Sequence, residues 1–529
     1  MTIHRVLVCG NLAEDGLSIL RQTPNIALDV KPELKEDELA ELIAPYHALI
    51  VRSDTRPTAK VIAAADNLKV IGRAGTGVDN IDVEAATKRG IVVMNTPGGN
   101  SVTTAEHTFA LLMATARHIA QGTMSLKQGR WERKKLVGVE LSGKTLGIVG
   151  IGRIGSLVAQ RAAAFGMHTV GYDPYLTREA AAKLGIELVA LDTLFARADF
   201  ITLHVPLTDE TRHIINADAF RKMKRGVRLI NCARGGLVDE TALAAALQDG
   251  TVAAAALDVF EEEPPPPDHP LLALPNLTCT PHLGASTMEA QVSVAVSIAR
   301  QIVDFLETGV IFGAVNAPSV SAELMSELRP YVDLGIKLGM FQGQAFGSHV
   351  RRLVIEYSGK VADLDVRPIT QAILVGLLSG TSNRVNFVNA ALIAEERGMV
   401  VSETKNRVAK DFASLIALWA ETDQGESDVA GAIFRESDLR IVRVNGFPIE
   451  AIPKGHMLLC ANRDQPGVLG RICSTLGDGG VNIARLYLGR KEVGGTAISL
   501  IQVDSPVPDE VMAKLHEIPA VLKARCIHL

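Results

Sequence analysis

Cysteine is sparse in this chain. Cys9, Cys232, Cys279, Cys460, Cys473 and Cys526 are six among 529 residues, and no two form a CxxC pair. A chain of this length needs no disulfide staples, so the six read as reduced thiols of a cytoplasmic protein, and no metal-ligand set is expected. Long apolar runs are missing as well. The stretch AILVGLL, residues 372–378, falls far short of the ~20 residues that a membrane helix needs. The start, MTIHRVLVCG, enters a strand-like run at once, without the charged and apolar regions of a signal peptide. Charge of one sign is not concentrated anywhere: the net charge is −5 with both signs interspersed. No basic block marks a nucleic-acid surface and no Lys/Arg-rich helix marks a membrane surface, so neither partner is expected. Tandem short repeats and low-complexity tracts are also absent.

What is present is ordinary globular material, 47% hydrophobic and 21% charged. At ~150 residues per domain it suffices for roughly three or four domains. Short β-branched runs (RVLVCG, HALIVRS, KVIGRAG, GIVVMNTPG) end in Gly, Ser or Pro and alternate with amphipathic stretches such as EDELAELIAPY and TAKVIAAADNL. That alternation predicts a parallel sheet with helices on both faces. The pattern restarts at KTLGIVG and runs through HTVGYD, DFITLHVP, VRLINCARG and VAAAALDVF. Two doubly wound, Rossmann-like α/β lobes with a cleft between them are expected. From about residue 315 the texture changes to helical runs followed by strands, an α+β domain without an evident catalytic cluster. From about 456 a compact βαββαβ order follows.

The segment KTLGIVGIGRIGSLVAQ places Gly150, Gly152 and Gly155 as GxGxxG directly after an apolar strand and before a helix. The first glycine permits the tight turn, the second lets a pyrophosphate approach the backbone, and the third packs helix on strand. The helix start offers free amides to the phosphates. The next strand ends in Asp173, where a carboxylate binds ribose hydroxyls and repels a 2′-phosphate, so NAD is favoured over NADP. Later strands of this lobe end in HVPLT, NCARGG, ALDVFEEEP and TPHLGAST, which puts Arg234, Glu263 and His282 on the rim where ligands sit. An arginine fork clamps a carboxylate, a histidine takes a hydroxyl proton as hydride leaves the same carbon, and a glutamate orients the ring. Oxidation of a 2-hydroxy acid requires those three roles. Core or hinge roles are expected for His107, His118 and His204.

Together these motifs resemble the D-isomer-specific 2-hydroxy acid dehydrogenase family. VIGRAGTGVDNIDVEAA, NTPGGNSVTTAEHTFALLMATAR, GRWERKK, LGIVGIGRIG, NCARGGLVDE, ALDVFEEEPP and PHLGAST carry the likeness from about residue 3 to 312. The resemblance is strongest to the branch that oxidises 3-phospho-D-glycerate, and the later regions resemble the two regulatory domains of its long form. It implies a substrate-binding lobe over 1–98 with a chain return over 284–312, an NAD-binding lobe over 99–283, an intervening domain over 313–455 and an ACT domain over 456–529. It makes Arg234 the carboxylate clamp, Glu263, abutting Pro264, the orienting acid and His282 the acid/base, with Glu261 and Glu262 as solvated neighbours. NAD contacts implied are Thr76, Arg153, Ile154, Asp173, Cys232, Asp258 and Gly284. Substrate contacts implied are Arg52, Ser53, Arg73, Asn100 and Arg133, the last acting across a dimer interface. In the ACT-like region, Asp464 in a loop at a helix start and Asn482 at the start of the next strand are expected to lie close together. There they would hold L-serine, as effector, at a dimer interface.

The resemblance implies NAD-dependent oxidation of 3-phospho-D-glycerate, the first step of L-serine synthesis, by a cytoplasmic homodimer or homotetramer under serine control. A broader 2-oxo acid reductase working on glyoxylate, hydroxypyruvate or 2-oxoglutarate is the alternative, since the same trio serves it. That enzyme needs neither the phosphate-side arginines nor the amino-acid module. A non-catalytic NADH sensor is disfavoured by the intact trio, and a formate dehydrogenase by the Glu-His pairing.

Overall fold

The computed structural model describes residues 3–318, 322–347, 349–380, 385–408, 411–435 and 437–529. The described residues form four sheets. The first is parallel, built from His4–Cys9, Ile26–Lys31, Ala48–Val51, Val70–Arg73 and Val92–Met94 in the spatial order 2-1-3-4-5. Ala48–Val51 and Val92–Met94 are buried at every residue. Helices cover both faces of a doubly wound sheet, so its central strands read as unbroken apolar runs rather than alternating ones.

The second sheet has seven parallel strands, Thr145–Val149, His168–Tyr172, Glu187–Leu188, Phe200–Leu203, Val227–Asn231, Val252–Leu257 and Leu277–Cys279. Their spatial order is 7-6-5-4-1-2-3, which reverses direction between Thr145–Val149 and Phe200–Leu203. A ligand crevice opens at such a reversal, beyond the carboxyl ends of the strands. Two long helices tie the lobes together. Ser101–Arg117 lays Ala105, Phe109, Leu112 and Ala116 against Leu146 and Ile148 of the second sheet. Met288–Thr308 returns to the first lobe, where Ala295, Ile298 and Ile302 pack with Val6, Val8 and Ile50.

The third sheet takes six strands, Val350–Gly359, Val400–Asn406, Ser414–Thr422, Gly425–Phe434, Asp438–Val444 and Phe447–Ala451, in the order 2-1-3-4-5-6. Neighbours are antiparallel except Val350–Gly359 with Val400–Asn406. The helices Ala322–Phe346 and Arg367–Leu378 cross backbone to backbone: a Cβ on Gly339 would lie 2.1 Å from the Ile373 carbonyl oxygen, and one on Gly376 would lie 2.2 Å from that of Ile336.

The fourth sheet is antiparallel, with His456–Arg463, Ile483–Arg490, Thr496–Val503 and Val521–His528 in the order 2-3-1-4 and the helices Val468–Asp478 and Asp509–His516 between strands. Both faces are covered. Leu458 and Cys460 pack with Ile472 and Leu476 of the helix. Met457 and Leu459 join Phe341, Leu353 and Ile355 in one core shared with the third sheet. Alternate residues of a strand point to opposite faces, so one short apolar strand belongs to two cores. Gln344 completes the joint by pairing with the backbone of His528 in both directions, at 2.9 and 2.8 Å. The domain of the third sheet also touches the first lobe, where Asn386 Nδ2 donates to the Gly90 carbonyl at 2.8 Å and Val388 enters that lobe's core. Among the described residues no helix is long and apolar enough to cross a membrane.

The Gly339 crossing generates a stability prediction. Gly339→Ala forces the two helices apart and lowers stability by about 1–3 kcal/mol, read as the denaturant midpoint against wild type. An unchanged midpoint would show that the crossing gives way without cost.

Candidate active site

The glycine-rich turn follows directly from the local backbone. Gly150 has φ +93, and a Cβ there would lie 2.6 Å from the His204 carbonyl oxygen. A Cβ on Gly155 would lie 2.2 Å from the Gly150 carbonyl oxygen, whereas nothing lies within 4 Å of a Cβ on Gly152. The open position is the one a pyrophosphate needs, at the start of the helix Arg153–Ala164. Asp173 accepts from the Ile151 amide at 2.9 Å through one oxygen and from the Tyr175 amide at 2.9 Å through the other. Each oxygen keeps a lone pair for a ribose hydroxyl. Arg153 is exposed, Ile154 is half-buried, and the Arg153 guanidinium passes Gly98. The residues present therefore fit a dinucleotide.

Asp258 lies at the end of Val252–Leu257 and is 1% exposed. Its Oδ1 accepts from the Leu283 amide at 2.7 Å, from the Thr280 hydroxyl at 2.5 Å and from His107 Nε2 at 3.1 Å. Its Oδ2 accepts from the Gly284 amide at 2.8 Å. Burial pushes this carboxyl up, but the bonds from His107, Thr280 and Leu283 outweigh it and hold it below the usual range. The His282 amide donates to the Asp258 carbonyl at 2.9 Å, and His282 itself adopts φ +53. Thr104 adds a 2.9 Å bond to the Gly284 carbonyl.

His282 Nδ1 lies 2.7 Å from Glu263 Oε2, and Glu263 Oε1 accepts from the Phe260 amide at 3.1 Å. The Glu263–Pro264 peptide is cis. The Glu263 hydrogen bond raises His282 above its ordinary value, with burial opposing it. Burial alone would push Glu263 up, yet the bond to His282 brings it down. An ionised carboxylate only accepts, so Nδ1 carries a proton and Nε2 is the nitrogen left for chemistry. Glu261, expected as a solvated neighbour, instead bonds His213 at 2.9 Å.

Three guanidiniums gather close to one another, Arg234 on the same lobe as His282 and Arg52 and Arg73 on the other. Arg73 ends the strand Val70–Arg73 and is pushed down to about 10, first by burial and then by the charges of Arg234 and Arg52; its Nε is buried without a partner. Arg52 donates to the Asn11 carbonyl at 3.2 Å. Arg234 follows Val227–Asn231 in a turn shaped by Asn231, whose side chain bonds the Arg234 carbonyl at 2.8 Å and the Ala233 amide at 3.0 Å. Arg234 Nε pairs with Asp79 of the other lobe at 3.1 Å. Thr76, expected at the cofactor, and Asn100, expected at the substrate, bond each other at 2.8 Å where the lobes meet.

Other expected residues make only local contacts. Cys232 is buried, and burial pushes its thiol up to about 12, so it is a neutral contact surface. Ser53 bonds its neighbour Asp54 at 3.2 Å. Arg133 sits in an exposed turn, Arg133–Lys135, and among the described residues no hydrogen bond or ion pair ties its side chain to the cleft.

The effector pair needs correction. Arg463 pairs with Thr496, and Ile483 pairs with Val503, at opposite ends of the central strand. Asp464 and Asn482 thus flank the helix Val468–Asp478 from its two ends, about 16 Å apart for eleven residues at 1.5 Å rise. His456–Arg463 and Ile483–Arg490 run parallel on either side of Thr496–Val503, so the second cannot start at the end of the sheet where the first one finishes. Asp464 bonds Arg490 at 3.1 Å and the Gly494 amide at 3.2 Å, while Asn482 bonds Asp504 at 2.6 Å.

Sequence reasoning missed His107, Thr280 and Asp79. His107 stands in the helix Ser101–Arg117 among apolar neighbours, so periodicity assigned it to a core. His204, assigned likewise, is half-buried, and desolvation of its ring lowers it to about 3. His118 has φ +50 at the joint between the helices Ser101–Arg117 and Ile119–Lys127.

Residues 109–284 match the family described as D-isomer specific 2-hydroxyacid dehydrogenase, NAD binding domain. Residues 327–445 match the D-3-phosphoglycerate dehydrogenase intervening domain, and residues 456–520 match the ACT domain. The chain is 46% identical over 527 residues to a D-3-phosphoglycerate dehydrogenase of Methanocaldococcus jannaschii, covering 99% of this chain and 100% of that one. It is 44% identical over 530 residues to the Synechocystis protein of the same name, covering 100% of this chain and 95% of the relative. Among solved structures it is similar to D-lactate dehydrogenase from Aquifex aeolicus complexed with NAD and lactic acid, with a TM-score of 0.53 at 29% identity over 59% of this chain and 100% of that one.

The Glu263–His282 pair predicts a titration. His282 titrates above its ordinary 6.5, and Glu263→Gln brings the midpoint down, followed by the ring-proton resonances of the imidazole against pH. Since the folded value is raised, the His282 part of the stabilisation is complete below 6.5 and is lost as pH rises through the folded value. The Glu263 part, depressed from 4.5, is lost only as pH falls through its own folded value. An unshifted midpoint in the variant would refute the pairing.

Proposed function

Because the chain belongs to the D-3-phosphoglycerate dehydrogenase family, within the D-isomer-specific 2-hydroxy acid dehydrogenases, we propose how its residues divide one oxidation. The reaction is the NAD-dependent conversion of 3-phospho-D-glycerate to 3-phosphohydroxypyruvate, the first step of L-serine biosynthesis. The observation that carries the assignment of roles is the 2.7 Å Glu263–His282 pair, set where the charge of Arg234 is felt.

Arg234 holds the carboxylate of the acid, and Arg73 and Arg52, with Asn100 and Ser53 nearby, hold the phosphate. Three cations gathered together repel one another, and a doubly charged phosphate together with a carboxylate relieves that repulsion. His282 takes the proton of the C2 hydroxyl on Nε2, and Glu263 stabilises the imidazolium that forms. Bound NAD supplies the hydride acceptor. Gly150, Gly152, Gly155, Arg153 and Ile154 hold its pyrophosphate, Asp173 its ribose, and Asp258, Gly284, Thr76 and Cys232 line the nicotinamide end. In the reverse direction the protonated His282 donates to the keto oxygen. Closure of the two lobes excludes water and fixes the reacting groups.

A homodimer accounts for Arg133. Ile119, Met124, Leu126, Trp131 and Val137 are all exposed within one short segment of the second lobe. A second copy of the chain covers that apolar stretch and carries Arg133 to its partner's cleft. L-serine sits between two copies, with Asp464 of one beside Asn482 of the other. A two-fold axis brings together what the βαβ unit holds apart. The free state of all six cysteines fits the cytoplasm.

Oxidation of NADH at 340 nm tests the assignment with 3-phosphohydroxypyruvate, hydroxypyruvate, glyoxylate and 2-oxoglutarate. The phosphorylated acid reacts best, and His282→Ala lowers turnover by about 10²–10⁴-fold while NADH binding survives. Equal or faster turnover of an unphosphorylated acid would move the protein to the broader reductases that share these lobes. L-serine inhibits the wild type, and Asn482→Ala abolishes that inhibition. Equal sensitivity of the variant would remove the effector from this site.

A further inference from the structure

We infer that Asp79 is a positioning residue for Arg234: it holds the guanidinium by its Nε edge from across the cleft and leaves the opposite edge of the fork for the carboxylate of the acid. The inference rests on the assignment of Arg234 as the carboxylate clamp.

A guanidinium has five N–H donors in one plane. In Arg234 the Nε–H goes to Asp79 Oδ2 at 3.1 Å, and one Nη1–H goes to the Ala233 carbonyl at 2.7 Å. Among the described residues the second Nη1–H and the two on Nη2 have no hydrogen-bond partner. The edge formed by Nη1 and Nη2 is one that takes a carboxylate in two parallel bonds. Asp79 therefore does not occupy the place of the substrate. It fixes the plane in which the free edge lies.

The loop that carries Asp79 is shaped around this pair. A Cβ on Gly77 would lie 2.1 Å from Arg234 Nη2 and 2.7 Å from Asp79 Oδ2. Both neighbours are ends of flexible side chains, so a methyl group at 77 moves the guanidinium rather than the fold. Asp79 comes just after Val70–Arg73 of the first sheet, and Arg234 just after Val227–Asn231 of the second. One ion pair thus ties the clamp to the lobe that supplies the other two cations, Arg52 and Arg73. Its negative charge also offsets their mutual repulsion before substrate arrives.

The opposite reading is that Asp79 is a placeholder which the acid must displace, and the two readings differ in sign. If Asp79 orients the clamp, Asp79→Asn raises KM for the acid about fivefold, the scale of one side chain losing its fixed rotamer, with kcat within about twofold and NADH affinity unchanged. Gly77→Ala shifts KM in the same direction. In an Arg234→Lys background, where no Nε edge exists to hold, Asp79→Asn adds nothing further. An unchanged or lower KM in Asp79→Asn would overturn the inference, as would an effect that persists undiminished beside Arg234→Lys. Each comparison uses the acid that the wild type turns over fastest. Failure of the phosphorylated acid to react would then sink the substrate assignment alone and leave the comparison standing.

Discussion

A single buried carboxylate, Asp258, organises the catalytic rim. An ionised carboxylate removed from water costs several kcal/mol unless every bond it lost is replaced, roughly the scale known for buried ions. Here four donors replace them: the Leu283 and Gly284 amides, the Thr280 hydroxyl and His107. Three of the four belong to the Thr280–Gly284 turn, so satisfying the charge and folding the turn are one event. His282 lies inside that turn in the left-handed region, a conformation that a residue with a side chain keeps only when its surroundings impose it. His282 is therefore held through its backbone amide and by Glu263 at the ring.

The arginine cluster shows the complementary balance. Arg52, Arg73 and Arg234 repel one another, and burial of Arg73 adds to the cost. The carboxylates of Asp79 and Asp54 at its edge offset part of the charge. In the proposed reaction an acid enters with its charged groups toward the arginines and its hydroxyl toward His282.

The third and fourth sheets are joined to the first two lobes by packing rather than by a linker alone. The third and fourth sheets share one core through Met457, Leu459, Ile498, Leu500 and Ile527, and Val388 with Asn386 reaches into the substrate lobe. The fourth sheet thus packs on the third, and the domain of the third contacts the lobe carrying Arg52, Arg73 and Asp79.

Local rules were enough for much of the molecule. The GxGxxG turn, the alternation of apolar strands with amphipathic helices and the βαββαβ order at the end depend on neighbours a few residues away, and the chain displays them openly. Arg234, Glu263 and His282 were legible because strand ends in an open α/β sheet point to one rim. Short edge strands such as Glu187–Leu188, and most of the six-stranded third sheet, were not, since their burial depends on helices distant in the chain. His107 read as a core residue because helical periodicity reports a buried face without naming what it faces. Asp79 carried no local signal, as its partner lies 155 residues away. Asp464 and Asn482 were placed together by their nearness in the chain, and the direction of two parallel strands separated them. The sequence alone determined which groups could do the chemistry, because donor, acceptor and charge are properties of single side chains. Which of them meet was decided by the tertiary structure, because a contact across two lobes is a property of how sheets stack, and no short stretch of chain contains that information.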